Sequence, residues 1–170
     1  MFNLRSVAMA AVMAVSAATA QAATVDLSLG DGWVEFYFGG DETAWEEEFR
    51  IVSTIPLWLQ VTDAYLSGDR FEVFSDGTLL GATSLPGAVG AHTVSKDEAF
   101  ASPTWSSGAW LLAAGSHLIT GVVTTSPFGS GAGAVRLVEA VPQPAVVPLP
   151  AGGLLLLTGL GAIVALRRRR

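Results

Sequence analysis

The chain has 170 residues, no cysteine and a formal net charge of −6. That leaves room for one domain and excludes disulfide staples, thiolate zinc sites and a cysteine nucleophile. All 15 acidic residues lie between Asp26 and Glu139, where only Arg50, Arg70, Lys96 and Arg136 oppose them; four basic against fifteen acidic groups leave this middle stretch at −11, a charge that repels phosphate backbones and excludes a nucleic-acid partner.

The mean hydropathy of +0.49 averages three physically different segments, and the two ends are the most apolar. Met1 to Arg5 supply a short positive start, and Val7 to Ala18 are apolar apart from Ser16. Ala20-Gln21-Ala22 then offers the small residues that a signal peptidase pocket accepts. Residues 1–22 are therefore expected to be a signal peptide, helical in its core and cleaved between Ala22 and Ala23, with Ala20 as the alternative site. The apolar core is too short to span a membrane.

From residue 23 to 141 the pattern has period two, with runs at Trp33–Phe38, Phe49–Val52, Trp58–Asp63 and Phe71–Phe74. Asp76-Gly77 followed by Thr78-Leu79-Leu80 signals a two-residue hairpin. Later strands are expected at His117–Thr125 and Ala134–Ala140, and turns at residues 30–32, 39–41, 67–69 and 129–133. No stretch keeps a helical period, although residues 42–49 have room for one turn. The expected fold is all-β, an antiparallel β-sandwich of about seven to nine strands.

Residues 142–151 hold Pro142, Pro144, Pro148 and Pro150 and read as an extended stalk. Residues 152–166 are apolar apart from Thr158 and would reach ~22 Å as a helix. That is short of a ~30 Å hydrocarbon core, a gap that arginine snorkelling and local thinning narrow. Arg167, Arg168, Arg169 and Arg170 form a stop and orientation signal that stays cytoplasmic and puts the acidic middle outside. The chain thus reads as a β-domain flanked by an N-terminal signal helix and a C-terminal transmembrane helix.

The tail Val147-Pro148-Leu149-Pro150-Ala151, an apolar span and terminal arginines resembles the PEP-CTERM class of bacterial sorting signals, most closely its VPLPA variant. The commoner form has Glu where this chain has Leu149. The resemblance covers residues 147–170 and implies recognition by exosortase, a membrane-embedded transpeptidase that cuts near the motif. Two prolines also deny the helix its start and keep the strand extended above the membrane. The stretch Val61-Thr62-Asp63 to Gly68-Asp69-Arg70-Phe71-Glu72-Val73 looks like segments of other β-sandwich ectodomains with such tails, and no biochemical role comes with it.

Motifs for chemistry are sparse. His92 and His117 lie in no H-x-H, H-E-x-x-H or G-x-S-x-G context, and Ser116-His117 reads as a turn pair. With fifteen acids in a small domain, two at the ~5–9 Å of a glycosidase pair will occur by chance. No cofactor is expected. The turn aspartates Asp31, Asp63, Asp69 and Asp76 suit a structural calcium ion, against their ordinary role of capping backbone N–H groups. Of five tryptophans, Trp33 and Trp58 read as core or half-buried. Trp105 and Trp110, bordering Ser106-Ser107-Gly108, are the candidate sugar contacts, against a role as core plugs.

The expectation is a non-enzymatic protein of the cell surface or extracellular matrix. Its partners are signal peptidase and the export machinery, an exosortase-like transpeptidase, the inner membrane before processing and, for a matrix protein, exopolysaccharide. A carbohydrate-binding module attaching to exopolysaccharide is the alternative, and a secreted hydrolase the third.

Overall fold

Alternation of apolar and polar residues is realised as strands whose burial also alternates. The structure is a computed structural model that describes residues 22–140. Residues 1–21 of the signal segment, the stalk, Val147–Ala151, the 152–166 span and Arg167–Arg170 lie outside the described residues. The compact unit closes at Ala140. Among the described residues no helix is long and apolar enough to cross a membrane.

Two sheets face each other. One has five strands: β1 (Ala23–Asp26), β3 (Glu47–Ser53), β6 (Arg70–Ser75), β7 (Thr78–Ala82) and β10 (Gly115–Thr125), in the order β1-β3-β10-β6-β7. The other has four: β2 (Val34–Phe38), β4 (Leu57–Asp63), β9 (Ser107–Leu112) and β11 (Gly131–Glu139), in the order β2-β11-β4-β9. A short pair, β5 (Tyr65–Leu66) with β8 (His92–Thr93), lies beside them. The two main sheets hold nine strands, and with β5 and β8 the described residues have eleven, more than the seven to nine expected. One pairing departs from the antiparallel expectation: β1 runs parallel to β3. The chain leaves β1, crosses to the other sheet for β2 and returns, and a crossover of this kind makes a parallel pair.

One core lies between the sheets. Phe36, Phe38, Leu59, Val61, Val135 and Leu137 meet Phe49, Ile51, Phe71, Val73, Ile119 and Val123 there. At its centre Trp45 stacks on Phe36 at 3.7 Å between ring centroids and meets Phe71 edge-on. The residues expected to allow a helical turn, 42–49, instead lead through Trp45 into β3, because Trp45, Phe49 and Ile51 all fill the core. Gly131 and Gly133, expected in a turn, are strand residues of β11. A Cβ at Gly133 would lie 2.2 Å from Phe36 Cζ, and one at Gly131 2.7 Å from Phe38 Cζ, so these glycines make room for rings. Asp76-Gly77 forms the expected hairpin turn, with φ of +51° and +76°.

Among the described residues there is one helix, α1 (Lys96–Ala101). Ser95 caps it, its Oγ accepting from Glu98 N–H at 3.2 Å, and the Ser-x-x-Glu spacing is that of a capping box. Trp33 packs on Phe100, and the Arg136 guanidinium lies 4.2 Å over the Trp33 ring. Arg136 also pairs with Asp97 at 2.5 Å, tying α1 to β11.

Candidate functional site

Asp63 is the last residue of β4 and shares its inward face with Leu57, Leu59 and Val61. Asp69 precedes β6 and continues the inward face of Phe71 and Val73. Asp63 at the end of β4 and Asp69 just before β6 thus both turn inward from opposite sheets, and the Asp69 N–H reaches the Asp63 carboxylate at one end of the core. Asp63 is fully buried and Asp69 is 5% exposed. Asp63 Oδ2 accepts from the N–H groups of Gly68 (2.9 Å) and Asp69 (3.1 Å), which closes the β4–β6 connection. Gly68 is required there: its φ is +145°, and a Cβ would sit 3.1 Å from Pro127 Cγ.

The other oxygens are unserved. Asp63 Oδ1 and Asp69 Oδ1 are buried and have no hydrogen-bond partner. Burial first, then the charge of Asp69, pushes the Asp63 carboxyl up to about 8 against three backbone N–H groups that favour its ionised form. Burial also raises Asp69, opposed by the Ser126 hydroxyl and Asp63 and assisted by Asp41. Asp41 reaches in from the β2–β3 connection and accepts from Ser126 N–H. The Ser126 hydroxyl donates to the Gly129 carbonyl. Three chain segments, residues 39–43, 63–69 and 126–131, therefore converge on the aspartate pair. A cavity of about 110 Å³ lined by Tyr65, Leu66, Phe128 and Gly131 reaches Asp69.

A wider groove of about 470 Å³ shares that rim and is lined by Tyr37, Phe38, Glu46, Tyr65 and residues 130–132. Below it Glu35 gathers three donors: Lys96 Nζ at 2.5 Å, Tyr65 OH at 2.6 Å and Tyr37 OH at 3.0 Å. Lys96, then Tyr65, hold Glu35 below the usual carboxylate range, and Glu35 in turn raises Lys96. Tyr65 has φ +61°, a left-handed backbone that a bulky side chain seldom adopts.

The remaining sequence candidates are placed as follows. His117 does meet a serine and an aspartate, with Nδ1 3.1 Å from Ser75 Oγ and 3.6 Å from Asp76 Oδ2. Hydrolytic relay needs the serine on one ring nitrogen and the carboxylate on the other. Here both face Nδ1, and Nε2 lies 2.9 Å from the Ala113 carbonyl. The arrangement pins the β6–β7 hairpin to β10. His92 is exposed in β8. Trp105 is buried, 5% exposed, so it presents no free ring face. Trp110 is half-buried against the core, its ring over Gly108. Trp33 precedes β2 on the outer face and Trp58 is 39% exposed in β4. Of the four turn aspartates, Asp63 and Asp69 come together. Asp31 caps Ser28 N–H at 2.7 Å, and Asp76 caps Leu118 N–H at 3.0 Å. Ala22 is described and Ala23 opens β1, whereas Ala20, the sorting motif and the arginine cluster lie outside the described residues.

Asp41, Ser126, Tyr37 and Tyr65 are site residues that the sequence reading did not single out. Asp63 and Asp69 were read as turn aspartates, and carrying the period-two faces of β4 and β6 one step further would have marked both as inward. No protein-family model and no curated protein matches the chain. Among solved structures, it is similar to the pre-peptidase C-terminal domain of collagenase from Bacillus anthracis, at 11% identity and a TM-score of 0.39, over 69% of this chain and 95% of that one.

Proposed function

We propose that this is an exported, non-enzymatic protein of the cell surface or extracellular matrix, delivered by residues 1–22 and processed through its tail by an exosortase-type transpeptidase. It passes through a stage anchored in the inner membrane, with the β-sandwich outside. The observation that carries this reading is where the first and last described strands stand relative to the expected signal-peptidase site and the stalk. β1 opens at Ala23, the residue that follows the signal-peptidase site, and its N–H donates to the Glu46 carbonyl at 2.9 Å. The last strand ends at Glu139, before the first proline of the stalk. A signal-peptidase cut between Ala22 and Ala23 severs none of the described strands. In the native host, changing Arg167, Arg168, Arg169 and Arg170 together to Ser should weaken membrane retention and tail processing. Processing and localisation identical to the parent would overturn the reading.

The carbohydrate-binding alternative is favoured by a different surface from the one the tryptophans suggested. The groove at Tyr37 and Tyr65 offers an exposed ring, hydroxyls and the Glu46 carboxylate, a combination that suits sugar recognition. Tyr37→Ala should then abolish exopolysaccharide pull-down, and undiminished capture would remove this alternative.

A further inference from the structure

We propose that Asp63 and Asp69, with the Ser126–Gly131 segment beside them, bind a calcium ion. Two observations carry this independently of where the protein works. The first is the pair itself: an aspartate at the end of β4 and another just before β6, in different sheets, both more than nine-tenths buried, with the Asp69 N–H on Asp63 Oδ2 at 3.1 Å. The second is that one oxygen of each, Asp63 Oδ1 and Asp69 Oδ1, is buried without a hydrogen-bond partner, although Asp63 Oδ2 takes two backbone donors. Buried polar atoms are nearly always satisfied. Like charges buried close together away from water need a counter-charge, and none of the four ion pairs among the described residues involves either aspartate.

The chemistry selects the ion. The donors are hard oxygens, and no sulfur or imidazole is part of the cluster, which disfavours zinc and copper. Among the described residues no three His, Asp or Glu side chains form a metal-binding group. The rest of the shell must then be backbone carbonyls, the Ser126 hydroxyl and water, held in loops. Calcium accepts such irregular shells of six to eight oxygens, whereas magnesium demands a near-ideal octahedron. The cavity of about 110 Å³ that reaches Asp69 has room for the water and gives an entry path. A net −11 on the residues around it concentrates cations. A shared proton is the competing occupant, but it neutralises one charge of two.

The test uses the full chain in detergent, stripped with EDTA and titrated with calcium chloride by calorimetry, with thermal melting in parallel. The expected result is one ion per chain and a melting midpoint raised by roughly 10 °C at calcium 100-fold above Kd. Magnesium chloride at the same concentration should give a much smaller rise. Asp69→Asn should lose the binding heat yet melt no lower than wild type in EDTA, because the repulsion is gone. Asp31→Asn should keep both responses. No binding heat and a midpoint unmoved by calcium would overturn the proposal and leave the pair to a shared proton. Wild-type binding by Asp69→Asn would overturn it too, placing the ion on the acidic surface. Should Asp69→Asn fail to fold, the wild-type titration still decides.

Discussion

Replacing Gly121 by alanine tests whether the aromatic centre governs stability. On propensity alone the change should help, since glycine within a strand costs roughly 0.5–1 kcal/mol relative to alanine. Space reverses the sign. An added Cβ would lie 2.1 Å from Trp45 Cε2 and 2.3 Å from Cζ2, far inside van der Waals contact. The indole has nowhere easy to go, being stacked on Phe36 at 3.7 Å with Phe71 and Phe49 at its edges. Overpacking of this kind costs about 1–3 kcal/mol when neighbours shift, and about 3–5 kcal/mol is lost where a tryptophan leaves the core. Less the propensity gain, the net destabilisation is about 0–4.5 kcal/mol, or up to roughly 15–20 °C in Tm for a domain this size. Thermal melting followed by near-ultraviolet circular dichroism reads both the midpoint and the Trp45 environment. Adding Trp45→Leu in the Gly121→Ala background should recover part of the loss, with a coupling energy of about 0.5–3 kcal/mol. A Gly121→Ala protein melting above wild type would refute the packing argument.

Other perturbations separate burial from binding. Trp105→Ala should cost about 3–5 kcal/mol by melting and leave polysaccharide capture per folded molecule unchanged. Tyr37→Ala, at a side chain 48% exposed, should leave Tm within a few degrees of wild type. Glu35 is held below its ordinary 4.5, chiefly by Lys96. The stability this provides is present above pH 4.5 and lost as pH falls through the folded value. Lys96→Met should therefore flatten the decline of Tm between about pH 5 and pH 3, and an unaltered slope would contradict the assignment. His117→Ala should cost about 1–2 kcal/mol through two lost hydrogen bonds. Ester or polysaccharide hydrolysis that vanished with Ser75→Ala would instead promote the hydrolase reading.

Much of the sandwich was legible because alternation survives in isolation. Leu59 and Val61 against Trp58 and Gln60, or Phe71 and Val73 against Glu72, announce a face before any partner is known. The Asp76-Gly77 hairpin was legible for a local reason, two adjacent left-handed residues. What misled was glycine. Gly131 and Gly133 read as turn residues, yet they sit in β11 because Phe38 and Phe36 occupy the space of their side chains, a long-range fact. The parallel β1–β3 pair was likewise invisible, since pairing direction depends on the route between sheets. Helix α1 was not expected, because six residues are too few to show a helical period. As for the site, Asp63 and Asp69 read only as two of four turn aspartates. Their meeting, and the approach of Asp41 and Ser126, required the two sheets to be stacked.

The central claim, export with processing at both ends, is tested most directly by the intact mass and N-terminal sequence of the mature protein from its native host, with and without the sorting transpeptidase. The account expects a chain beginning at Ala23, whose C-terminus lies near Val147–Ala151 when the transpeptidase is present and retains Arg170 when it is not. A mature protein that begins at Met1, or keeps Arg170 in both backgrounds, would contradict it.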